Sequence, residues 1–133
     1  MRGVLALCSK TRVDHAAREL LKRPARVGIA AIDGDRFVGW CGRSEILHAA
    51  GIAGSAQRVC FLMERDSPSV DVEATIAEAL EVAASKQCAP GTPLVVCEEG
   101  RPVGIVLLRD LLREAAAIAS RGAGAAPPVS RAA

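Results

Sequence analysis

The sequence predicts an α/β fold of the α+β kind, built from two similar units packed face to face. Three observations carry that expectation. A pattern recurs inside the chain, with Val103-Gly104-Ile105 standing 65 positions after Val38-Gly39-Trp40. Each copy alternates helical periodicity with short strand-like runs. The length, 133 residues, suits one compact domain or two small repeats and leaves no room for a multidomain enzyme.

The repeat fixes the boundaries. At the same offset Asp110-Leu111-Leu112 falls on Glu45-Ile46-Leu47, and Leu94-Val95-Val96 on Ile29-Ala30-Ala31. Further upstream the offset is 63, where Ile76, Ala79 and Leu80 match Val13, Ala16 and Ala17. The second copy therefore holds two extra residues near Ala89 to Gly91, where Pro90 and Gly91 indicate a turn. The expected organisation is a first repeat over 1–50, a connector over 51–58, a second repeat over 59–118 and a disordered tail over 119–133. Gly, Ala, Pro and Ser dominate from Arg121 onward.

In the first copy the pattern predicts a helix from Val13 to Lys22 and a strand from Val27 to Ile32. A turn at Asp33-Gly34-Asp35, a strand from Phe37 to Cys41 and a helix from Ser44 to Ala50 follow. In the second copy Ile76, Ala79, Leu80 and Ala83 have the i, i+3, i+4, i+7 spacing of an amphipathic helix from Ala74 to Ser85. Glu73 lies at the favourable N-terminal end of that helix dipole. Pro93 to Cys97 and Pro102 to Leu108 form a hairpin about Glu98-Glu99-Gly100, and Asp110 to Ile118 returns to helix. One such unit buries too little surface to stand alone, and two together cover each other's open faces.

Charge and composition exclude several function classes. Seventeen Lys and Arg against fifteen Asp and Glu give +2, with two Phe, one Trp and no Tyr, which offers no footprint for nucleic acid as the main partner. No apolar run reaches the roughly 18–20 residues that span a bilayer. The first ten residues hold no convincing secretory cleavage site, so a cytoplasmic location is expected. Cys8, Cys41, Cys60, Cys88 and Cys97 are widely spaced, odd in number and without a Cys-x-x-Cys pair, and His15 and His48 are isolated. Neither a disulfide framework nor a metal site is expected, and the cysteines read as small core hydrophobes. No His-Cys-acid constellation or phosphate loop is present, so neither an enzyme nor a bound cofactor is expected.

The second copy resembles a cystathionine-β-synthase (CBS) domain. The matching stretches are Phe61 to Val70, Ala74 to Leu80, Thr92-Pro93-Leu94-Val95-Val96 and Gly104 to Leu111, in the family's order and spacing. The first copy resembles the family more loosely, through Val38-Gly39 and Glu45-Ile46-Leu47. Together they resemble the tandem pair called a Bateman module, over roughly residues 1 to 118. The resemblance implies two βαββα repeats related by a pseudo-twofold axis, with sheets packed in the middle and clefts between the repeats. It also implies a regulatory module that binds an adenosine-containing ligand (AMP, ADP, ATP or S-adenosylmethionine), forms a homodimer and modulates a partner protein. A ligand-free module for dimerisation or protein interaction is the alternative.

The resemblance further implies site residues. The family's ribose and phosphate contacts lie in a motif Gly-apolar-x-Thr/Ser-x-x-Asp, whose ends here are Gly104 and Asp110. A carboxylate at Asp110 can accept hydrogen bonds from both ribose hydroxyls, or instead cap the helix that begins there. The hydroxyl position holds Leu107, which cannot bond a phosphate. Arg109 offers a guanidinium in its place, or a solvated charge at the helix start. In the first repeat the hydroxyl position is Gly42 and the carboxylate is the longer Glu45. Arg43 and Ser44 between them suit a small anion site, or a plain cap by Ser44. Val70, Thr75, Thr92, Pro93 and Leu94 would line the adenine side. Trp40 reads as packing between the repeats, or as a stacking partner for a purine.

Overall fold

A computed structural model describes residues 1–51, 57–121 and 129. The elements follow in the order β1 (Leu5–Cys8), α1 (Val13–Leu21), β2 (Gly28–Asp33), β3 (Arg36–Gly42) and α2 (Arg43–Ala50). A 3-10 turn at Val59–Phe61 precedes β4 (Ser69–Asp71), α3 (Ile76–Ser85), β5 (Pro93–Glu98), β6 (Arg101–Leu107) and α4 (Leu108–Arg121). The chain divides into two units. One comprises Gly3–Ser67 with Gly100–Pro102; the other comprises Met1–Arg2, Pro68–Glu99 and the chain from Val103.

The unit of the first repeat has a three-stranded sheet in the order β1-β2-β3. β1 runs parallel to β2, with Leu5 opposite Ile29, which requires the crossover that α1 supplies. β2 and β3 form an antiparallel hairpin whose register shifts between Ala31 and Ile32. On α1, Val13, Ala16, Ala17 and Leu20 are buried, the expected helical stripe. Ala16, Ala17 and Leu20 pack with Ile29, Ala31, Cys41, Ile46 and Val59 in this unit's core. Trp40 is buried within its own sheet: a methyl group at Gly28 would stand 2.6 Å from the indole ring.

The second unit repeats the arrangement, with strand order β4-β5-β6 and β4 parallel to β5. Its core holds Val70, Ile76, Ala79, Ala83, Leu94, Val96, Val106, Leu108 and Leu111. The two offsets recur in the backbone. β2 and β3 are displaced by 65 onto β5 and β6 at both ends, and the first residue of α1 by 63 onto that of α3. Ala6 faces Ala30 and Ser69 faces Val95, so β4 stands 63 positions after β1. The two extra residues therefore lie between the start of α3 and that of β5, as the sequence predicted.

Several boundaries differ from expectation. α3 starts at Ile76 instead of Ala74, because Thr75 accepts the Glu78 N–H at 3.2 Å while Glu78 accepts the Thr75 N–H at 3.3 Å. This reciprocal capping box ends the non-helical segment at Thr75. α4 starts at Leu108, two residues before Asp110, so Asp110 is inside the helix and is not its cap. α2 starts at Arg43, with Gly42 at the cap position and no side-chain cap, so Ser44 does not cap it. The connector expected over 51–58 overlaps residues 52–56, which lie outside the described residues. So does the expected tail over 119–133, except that α4 continues to Arg121 and Val129 is fully buried. The Val129 N–H donates to the Ala74 carbonyl at 2.8 Å, and its side chain joins the second unit's core.

Candidate functional site

The run from Gly104 to Asp110 occupies the end of β6 and the first turn of α4. Its helix start is fixed by a loop, since the Leu108 N–H donates to the Thr92 carbonyl at 3.1 Å and the Arg109 N–H to the Pro90 carbonyl at 2.8 Å. Two of the helix's unsatisfied N–H groups are thereby used within the protein. The same device serves α2, where the Arg43 N–H donates to the carbonyl of Val27, 65 positions before Thr92.

Asp110 sits in that first turn, where the helix dipole favours a carboxylate, and is only 8% exposed. Two guanidinium groups flank it. Arg113 Nη1 lies 3.5 Å from Oδ1, one helical turn on, and Arg2 Nη2 lies 3.9 Å from Oδ2. Arg2 is brought there by the backbone: its N–H donates to the Ile105 carbonyl at 2.8 Å, and the Ile105 N–H to its carbonyl at 2.9 Å. A side chain at Gly104 would prevent this, because a methyl group there would stand 2.6 Å from Met1 Cγ and 2.9 Å from the Arg2 carbonyl oxygen. Arg2 and Arg113 were not among the residues the sequence singled out. Arg113 could have been found from its i, i+3 spacing to Asp110.

The other expected residues divide by what they already do. Leu107 is buried at the end of β6, and Arg109 is exposed. Thr92 Oγ1 accepts the Ala89 N–H at 3.1 Å and so closes its own turn, while Thr75 is the α3 cap. Pro93 is half-buried. Val70 and Leu94 belong to the core, and Leu94 is fully buried, which leaves it no surface to offer a ligand.

In the first unit Arg43 departs from its expected part. Its Nη1 donates to the carbonyls of Leu20 at 2.9 Å, Arg23 at 3.3 Å and Arg26 at 3.3 Å. It satisfies carbonyls at and beyond the end of α1, where a cation suits the helix dipole. Ser44 and Glu45 are exposed. Gly39 matches Gly104 in its role: a methyl group there would stand 2.6 Å from Met63 Sδ, and Glu64 pairs with Trp40 as Arg2 pairs with Ile105. The charge differs, however. Burial first, then the Glu45 and Glu64 carboxylates, push the Cys41 thiol up to about 12. The first unit thus sets Glu45 and Glu64, both acidic, where the second sets Asp110 and Arg2. Among the described residues no group of three or more His, Cys, Asp or Glu could hold a metal ion, and no helix is long and apolar enough to cross a membrane.

The CBS domain family matches residues 58–117. Over those residues this chain carries a CBS domain. Solved structures extend the likeness over most of the chain. The cytosolic domain of the Mg2+ channel MgtE in complex with ATP gives a TM-score of 0.61 at 24% identity, covering 83% of this chain. The chain spans 44% of the length of that solved chain. An uncharacterized conserved protein from Pyrococcus horikoshii gives 0.59 at 24% identity, over 96% of this chain and 92% of that one. The CBS domain pair of protein MJ0100, in complex with 5′-methylthioadenosine and S-adenosyl-L-methionine, gives 0.60 at 18% identity, over 88% and 91%. These likenesses show a shared fold, that of a CBS-domain pair. No curated protein matches the sequence.

Proposed function

We propose that this CBS module is a regulatory sensor of an adenosine-containing ligand (AMP, ADP, ATP or S-adenosylmethionine), bound at the second repeat. The observation that carries this is Asp110: a buried carboxylate in the first turn of α4, at the acidic end of the motif and flanked by arginines. A carboxylate there can take both hydroxyls of a ribose through charge-assisted hydrogen bonds, each contributing roughly 1.5–3 kcal/mol. The ligands named for the MgtE and MJ0100 structures belong to the same chemical class and support the reading.

The contact set on this reading is Asp110 and Arg109, beside Gly104 and Leu107, with Pro93 and Thr92 toward the base. Val70, Thr75 and Leu94 shape the site from beneath. Glu45, Ser44 and Arg43 make at most a degenerate counterpart, since Arg43 is committed to carbonyls. The module acts in the cytoplasm without catalysis, as a homodimer whose ligand biases a partner protein by its differential affinity for two states.

Thermal shift and isothermal titration with the four compounds test this. At a hundredfold excess over Kd a ligand should stabilise the fold by about 2.7 kcal/mol. Asp110→Asn, which keeps the shape, should weaken binding tenfold or more. No heat and no shift with any compound at millimolar concentration would remove the proposal. A ligand-free dimerisation module is the second reading. The apolar groove of about 140 Å³ between α3 and α4, lined by Ile76, Ala77, Leu80, Ala115 and Ile118, favours it. A melting temperature that rises with protein concentration and ignores every nucleotide would support that reading instead.

A further inference from the structure

We infer that the Asp110 site selects polyphosphate anions over uncharged and cationic adenosine compounds, with Arg2 and Arg113 as the residues that determine the choice. The inference rests on the nucleotide reading above and narrows it to one ligand class. Leu107 stands where the resembled motif has a hydroxyl and offers a phosphate no donor, so another group must supply the donors. Two guanidiniums flank one carboxylate, and a third arginine precedes it in sequence. Arg2 and Arg113 lie 3.9 and 3.5 Å from Asp110, and Arg109 is an exposed residue of the same first helical turn. The next acid along α4, Glu114, lies 3.6 Å from Arg121.

Those distances are ion-pair distances at or beyond the limit of a hydrogen bond, so the carboxylate orients both guanidiniums without consuming their donors. Both side chains remain open, Arg2 at 49% and Arg113 at 78% exposure, against 9% for Asp110. Arg2 cannot drift far, because its backbone is paired on both sides with Ile105. A planar guanidinium held in place with free N–H groups is suited to bidentate bonding of phosphate oxygens. The surplus positive charge disfavours the sulfonium of S-adenosylmethionine and gives nothing to neutral 5′-methylthioadenosine. The first repeat, with Glu45 and Glu64 in the matching places, lacks that selectivity.

Titration of the whole chain with adenosine, AMP, ADP, ATP, 5′-methylthioadenosine and S-adenosylmethionine tests the inference. Affinity should climb along the phosphate series, ATP should bind at least tenfold tighter than adenosine, and added salt should erode the difference. Arg2→Gln and Arg113→Gln should each weaken ATP roughly tenfold and so narrow the gap between ATP and adenosine. Arg2→Lys, which keeps the charge, should retain part of the preference, and melting curves of each variant report the fold separately. Equal binding of 5′-methylthioadenosine or S-adenosylmethionine and ATP by the unmodified chain would overturn the inference and leave the nucleotide reading standing. So would Arg2→Gln binding ATP as well or better, since Arg2 would then be a plug on Asp110. No binding by any of the six would overturn both.

Discussion

Cys41 and Cys97 are buried, and burial is the first cause of the raised thiol in each; Asp71 adds to it at Cys97, and Glu45 and Glu64 at Cys41. A thiolate is therefore disfavoured in the folded protein. With a disulfide-exchange reagent at pH 8, exposed Cys8 should react promptly, while Cys41 stays silent until the protein unfolds. An unfolded Cys41 loses its proton near its ordinary value, whereas the folded one keeps it to about 12. Between those pH values the unfolded chain binds fewer protons, so the Cys41 contribution is fully present below about pH 8.5 and is lost as pH rises toward 12. Denaturant midpoints at pH 8 and pH 10.5 should differ more for the natural chain than for Cys41→Ala. Equal differences would contradict the assignment. Residues of this kind were only half legible in the sequence. The cysteines read correctly as core hydrophobes at Cys41 and Cys97, but the approach of Glu64 depends on a bridge to Trp40 that no local pattern announces.

At the scale of elements, α3 ends in a way that can be improved. Cys88 donates to the Ala83 carbonyl at 3.0 Å and Gln87 to that of Ala84 at 3.1 Å, the paired bonds of a Schellman ending. Gln87 holds the left-handed position with φ 54, where glycine is free of the Cβ clash. Gln87→Gly should stabilise the protein by about 0.5–1 kcal/mol and raise Tm by a few degrees. An unchanged or lowered Tm would show that the side chain is held there by something else. The helices and hairpins were legible because their signals are local: a 3.6-residue stripe on α1, β-branched runs in β5 and β6, and Gly34 and Gly100 at the tips. Their starts were less so. An Asp or Ser near a helix start reads as a cap, yet α4 and α2 begin where the carbonyls of Thr92 and Val27 accept the first N–H, a contact set by the sheet.

For the whole chain, the internal repeat gave the order of elements and the place of the two-residue insertion. It could not give β1, or the exchange by which Met1 and Arg2 belong with the second repeat's unit. The burial of Val129 was equally hidden, because a Gly-, Ala- and Pro-rich composition reads as tail whatever one valine does. The site shares this division. Asp110 was visible from its motif, but its partner Arg2 lies at the other end of the sequence. Chemical-shift mapping with ATP on the isotopically labelled chain tests the assignment of the site to the second repeat most directly. The account predicts that the amides of Arg2 and of Gly104 to Arg113 move in a saturable manner while those of Arg43, Ser44 and Glu45 hold still. Saturable movement confined to Arg43, Ser44 and Glu45, or none anywhere at millimolar ATP, would contradict it.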